Sequence, residues 1–127
     1  MKKYVPLALR IIVAVILIQT LRFKFLGHED SIYIFETVGL EPHGRIGIGI
    51  MELIAGILLI FRKTAWAGAL LTLGIIGGAI VMHLTTLGID VKGDGGLLFG
   101  TAVITFLLSA VIAFIYRNKI PLLKKLN

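Results

Sequence analysis

Side chains able to do chemistry are scarce inside the apolar runs of this chain, and the few present are of complementary types. Glu52 interrupts the glycine-spaced stretch "RIGIGIMELIAG", His83 stands in "GAIVMHLTTLGI", and Arg22 and Lys24 close "ILIQTLRFKFLG". A carboxylate accepts hydrogen bonds or a proton, an imidazole can donate and accept near neutral pH, and a lysine or arginine can balance a buried carboxylate. Gathered away from water, these groups make a site that binds a polar headgroup or handles protons. Gln19, Thr101 and Thr105 are secondary candidates, offering an amide and two hydroxyls to the same site.

The elements that must position them follow from composition. With 127 residues, 57% of them hydrophobic and 16% charged, and a mean hydropathy of +0.99, the chain is too apolar for a soluble domain and is read as one membrane domain. Long apolar segments at 5–26, 46–61, 65–86 and 97–116 are each read as a transmembrane helix. Their apolar runs are continuous rather than alternating, which favours helices over a barrel, so the fold class is an all-α bundle of four transmembrane helices. The second segment is short, bracketed by Arg45 and Arg62, and is expected either to sit untilted or to borrow from the loops at its ends. Pro6 suits the first turn of the first helix, and Arg62-Lys63 allows only a tight turn, which makes the second and third helices antiparallel neighbours. The connection "GHEDSIYIFETVGLEPHG" should hold a short interfacial helix, capped by Ser31, apolar along Ile32, Phe35 and Val38, and ended by Gly39 before Pro42.

Charge gives the orientation. Lys2, Lys3, Arg62, Lys63, Arg117, Lys119, Lys124 and Lys125 fall on one side of a four-span bundle, against Arg45 and Lys92 in the opposite loops. By the positive-inside rule both termini are cytoplasmic. The net charge of +6 and pI near 9.9 are therefore a topology signal. No basic patch is interleaved with aromatics as nucleic acid would require, so the partner expected is the lipid bilayer. The tail "NKIPLLKKLN" is placed to touch anionic headgroups. The first apolar run is too long for a signal peptide, and no small-residue cleavage site follows it. Absence of cysteine excludes disulfides, thiol exchange and thiolate metal sites. Self-association is left open.

Depth and face bring the candidates together. At the helical rise, Glu52 lies about 10 Å below Arg45, His83 roughly 7 Å in from Gly88, and Lys24 and Arg22 roughly 4 and 8 Å in from Gly27. Three helices thus place ionisable groups in the outer third of the bilayer. Ala65, Ala69, Thr72, Ile76, Ala79, His83 and Thr86 form a small, weakly polar stripe on the third helix, and Thr101, Thr105 and Ser109 form another on the fourth. A charge facing lipid costs several kcal/mol, so Glu52 should point inward.

Each feature also has a plainer reading. Glu52 can lock the bundle through Lys24 or Arg22, His83 can be an interhelical donor, and the hydroxyl stripe can bond its own backbone. Arg10 is expected to snorkel, and Gly74-x-x-x-Gly78 to be a helix-packing seam. His28 and His43, with Glu29 and Asp30, are read as surface loop rather than a metal site. "GRIGIG" and "GDGG" lack the preceding strand of a phosphate loop.

Together, "RFKFLGHEDSIYIFETVGLEPHGRIGIGIMELIAGILL", "GAIVMHLTTLGI" and "DGGLLFGTAVITFLLS" resemble the DoxX family of small bacterial membrane proteins, from the first helix to Ser109. The resemblance rests on Lys24, on Gly49, Glu52 and Gly56 of "GxxELIAG", on His83 and on the pair Gly95-Gly96. It implies a four-helix transmembrane bundle in the bacterial cytoplasmic (inner) membrane. Some relatives carry an acid directly after the paired glycines; this chain has Leu97, so no carboxylate on the fourth helix carries over. The family name descends from small subunits of a thiosulfate:quinone oxidoreductase, and some relatives belong to oxidant-defence membrane complexes. The resemblance therefore implies an accessory role in a quinone-linked redox process, with a quinone as cofactor and a redox partner protein. The alternative is a non-enzymatic module that binds a lipid or small amphiphile. A haem carrier is disfavoured because only one span holds a histidine, and ion conduction because the cytoplasmic half offers only Arg10.

Overall fold

The computed structural model describes residues 4–26, 29–41, 43–90, 93 and 95–120. The first apolar run folds as α1, Tyr4–Phe25, with Pro6 in its first turn, where a missing N–H breaks no helical bond. A short helix, α2, spans Glu29–Thr37. It is followed by α3, His43–Ile60, and by α4, Ala65–Met82, which continues into a π-helical turn at His83–Leu87. The last long helix, α5, is Leu97–Ile115, and a single 3-10 turn at Arg117–Lys119 follows it. No strand occurs among the described residues.

Four of these helices are long and apolar enough to cross a membrane. Only 22% to 33% of each span is buried within the chain. Most of their apolar side chains, Val15, Ile50, Val81 and Leu107 among them, point outward. Such a surface is stable in hydrocarbon, where each helix satisfies its own backbone groups. Around the bundle, α1 packs on α3, α3 on α4, α4 on α5, and α5 closes against α1. The core is Val13, Ala14 and Leu17 of α1, Ala55 and Leu59 of α3, Ala69 of α4 and Ile112 of α5.

Close approach between helices is set by particular glycines. A Cβ on Gly68 would stand 2.9 Å from both the Ala55 carbonyl oxygen and the Leu59 nitrogen, so α3 and α4 meet backbone to backbone there. The expected seam at Gly74 and Gly78 is not one: a Cβ at either would meet nothing within 4 Å, and both front a cavity. Small residues at four-residue spacing can equally line a void.

Several boundaries differ from the sequence expectation. Helix α3 starts at His43 rather than Ile46, drawing Arg45 inside it. Glu52 consequently stands nine residues after His43 and eight before Ile60, at the middle of its helix. Helix α2 begins at Glu29, so Ser31 lies within its first turn instead of capping it. Gly39, at φ 78°, does end that segment. Arg10 does not snorkel. It is 6% exposed, and its Nη1 donates to the Ile60 oxygen at 3.1 Å and the Leu59 oxygen at 3.5 Å. These carbonyls lie in the last turn of α3, where acceptors lack intrahelical partners and the helix dipole is negative.

Candidate functional site

On α3 the buried residues are Gly49, Glu52, Ala55, Gly56 and Leu59, a three- and four-residue recurrence that turns one stripe toward α1. Glu52 belongs to that stripe and is 3% exposed. Its carboxylate meets α1: Lys24 Nζ is 3.0 Å from Oε1 and 3.2 Å from Oε2, and Thr20 Oγ1 is 2.8 Å from Oε2. Thr20 and Lys24 are one turn apart on the α1 face that also carries Val13 and Leu17, so both reach the same acid.

Arg22 and Gln19 do not join them. Both are exposed, and neither lines the cavity. At 3.6 residues per turn, a residue two positions from Lys24 is about 200° around the helix, and one next to Thr20 about 100°.

His83 opens the π-helical turn and is 6% exposed. Its Nδ1 is 2.9 Å from the Gly88 carbonyl oxygen. A carbonyl only accepts, so Nδ1 carries the proton in this bond, and Nε2 is the acceptor of the neutral ring. Gly88, at φ 82°, adopts the left-handed turn that brings its carbonyl back to the ring. The Phe99 ring meets the imidazole edge to face, centroids 5.6 Å apart at 72°. The wide turn also changes the helical register, so Thr86, expected on the inward stripe, is exposed.

Lys24, Glu52 and His83 line one cavity of about 460 Å³, together with Thr20, Thr101 and Thr105. The rest of its wall is apolar or glycine, and Ile34 and Phe35 of α2, with Val38 in the turn that follows it, cover it. Thr101 and Thr105 follow the backbone-bonding alternative: their hydroxyls donate to the Leu97 oxygen at 2.9 Å and the Thr101 oxygen at 2.8 Å. Ser109, on the same stripe, is fully buried with its Oγ unpartnered among the described residues. Arg45 braces the site's edge, with Nε 3.0 Å from Glu41 Oε1 and Nη1 donating to the Lys24 carbonyl.

The side-chain donors of the wall are therefore nearly all committed. The Thr20 proton goes to the Leu17 oxygen or to Glu52, those of Thr101 and Thr105 to their own helix, and that of His83 Nδ1 to Gly88. One N–H of the Lys24 ammonium remains, beside several acceptor lone pairs on Glu52, His83 Nε2 and the hydroxyl oxygens. No group of three or more metal-ligating side chains occurs among the described residues. His28 lies outside them, and His43 is exposed.

Sequence reasoning did not single out Gly74 and Gly78 as cavity wall, or the link from Arg45 to Glu41 and α1. The four-residue spacing of Thr20 and Lys24 did place both on one face of the first helix toward the lone carboxylate. Compared with known proteins, residues 5–85 match the DoxX family model, from the start of α1 into the π-helical turn. No curated protein and no solved structure matches the chain.

Proposed function

The chain belongs to the DoxX family, and from that premise we propose that it binds a quinone-class amphiphile in the cavity beneath α2, as an accessory subunit of a quinone-linked redox process. The reading rests on one observation: an apolar chamber whose few polar groups have spent their protons on the chain itself. At about 460 Å³ it falls in the range of small-molecule sites.

The wall fits the reduced form of such a headgroup better than the oxidised form. A quinone presents two carbonyl acceptors to a wall that offers mostly acceptors, whereas a quinol brings two hydroxyl donors. His83 Nε2 and the hydroxyl oxygens would accept from a quinol, and the apolar wall would take the tail. The bound group would supply the redox couple. The chain's contribution is to orient the headgroup, exclude water and offer Nε2 as a proton acceptor. A redox partner protein is then the electron acceptor. The basic residues clustered at one end support placement in the bacterial inner membrane with that end cytoplasmic.

A second reading, a non-enzymatic lipid or amphiphile binder, is favoured by the neutralisation of Glu52 by Lys24, which leaves little net charge in the chamber. Mass spectrometry of organic extracts from protein purified in mild detergent separates the two, with Gly78→Leu as the filled-cavity control. A quinone-class species retained by the wild type and lost from Gly78→Leu supports the first reading. A different defined amphiphile with the same pattern supports the second. Bulk phospholipid alone, equal in both, contradicts both.

A further inference from the structure

At the opposite end of the bundle, a second cavity of about 500 Å³ opens between the start of α1, the α3–α4 turn and the end of α5. Arg10, Arg62 and Lys119 line it, with Asn118, Tyr4 and Tyr116, and no carboxylate stands among its described lining residues. Arg10 is the deepest of the three. Its guanidinium carbon is 5.7 Å from the Tyr116 ring centroid, and Lys119 Nζ is 6.0 Å from the same centroid. Although Nη1 is held by the two α3 carbonyls, Nε is buried without a partner among the described residues. A nearly buried guanidinium is thus matched by carbonyl dipoles and a ring face but by no anion among the described residues, with two further cations at the same mouth. Such an arrangement repels itself and is relieved by a bound anion.

We propose that this cavity binds a phosphate oxyanion, supplied by the headgroup of an anionic lipid. Guanidinium groups match the oxygens of a phosphodiester bidentately, and the lysine adds a point charge. Basic pockets between transmembrane helices bind anionic headgroups in this way. The position suits a lipid more than a free ion. Tyr4 begins α1 and Arg62 sits between two spans, so the cations lie where span ends meet headgroups, and Leu7 and Ile115 give an acyl chain an apolar wall. This site shares no residue with the α2-covered chamber and stands independently of its occupant.

The test is native mass spectrometry of the full chain in mild detergent, titrated with phosphatidylglycerol or phosphatidylcholine, for the wild type and the R62Q/K119Q double variant. Both replaced residues are exposed, so the fold is retained. The wild type should prefer phosphatidylglycerol, and the double variant should lose roughly thirtyfold in that preference, the weight of two basic side chains at an anionic surface. Inorganic phosphate at matched ionic strength separates the sources: failure to displace the lipid supports the headgroup, and displacement overturns that source in favour of the free anion. Equal binding of the two lipids, or an unchanged preference in R62Q/K119Q, overturns the site itself.

Discussion

The Lys24 ammonium and the Glu52 carboxylate stand 3.0 Å apart across the contact between α1 and α3, their side chains 13% and 4% exposed. The acid sits at the middle of α3, while the lysine comes from the end of α1 and reaches inward to it. The pair removes net charge from a chamber that is otherwise apolar, and it ties the two helices that the α2 lid spans. In so enclosed a setting either partner alone is worse than both or neither.

That asymmetry gives the first prediction. Lys24→Met should lower stability by about 3–5 kcal/mol, because it strands a carboxylate with only Thr20 beside it. Glu52→Gln should cost less, near about 3 kcal/mol, since the amide oxygen still accepts from Thr20 and Lys24 retains some exposure. The double variant should recover most of the loss. Thermal unfolding in mild detergent checks this; single-variant losses that simply add would show that the two charges are not coupled.

The two glycine environments on α4 predict opposite signs for one substitution. Gly78→Ala places its methyl in open space and should gain up to about 1 kcal/mol from helix propensity. Gly68→Ala drives a methyl to 2.9 Å from the α3 backbone, where overpacking should cost about 1–3 kcal/mol after any propensity gain. Melting temperatures of the two proteins, compared with the wild type, should move apart. A loss at Gly78 would mean that the face fronting the cavity is packed after all.

His83 separates holding the π-helical turn from meeting a ligand. An Asn at this position can direct its amide N–H at the Gly88 oxygen, as Nδ1 does, but offers nothing where Nε2 stands. His83→Asn should therefore unfold within a few degrees of the wild type while retaining much less amphiphile in organic extracts. His83→Leu loses both functions and should be less stable by about 1 kcal/mol. Equal retention by His83→Asn and the wild type would reduce the histidine to a brace of its own turn.

The bundle was legible in the sequence because its signal is additive: runs such as 97–116 are predominantly apolar and free of charge, and no local choice can reverse them. The inward direction of Glu52 was legible for the same reason, since a lone acid among Ile, Met and Leu has only one favourable side. Which cation would meet it was not. Arg22 and Lys24 share depth, and only the face that α1 turns to α3 distinguishes them. The glycines at 74 and 78 misled because spacing records small size, not what lies opposite. Arg10 was misread because the carbonyls it bonds belong to a helix whose register against α1 is a tertiary property.

The most direct test of the central claim compares a short-tailed, water-soluble quinol with its quinone by anaerobic isothermal titration against the detergent-purified protein. A wall whose own donors are committed should bind the quinol at least about tenfold more tightly, the weight of one unmade hydrogen bond, and His83→Asn should abolish the difference. Equal affinity for the two forms, or a preference for the quinone that His83→Asn leaves intact, would contradict the account.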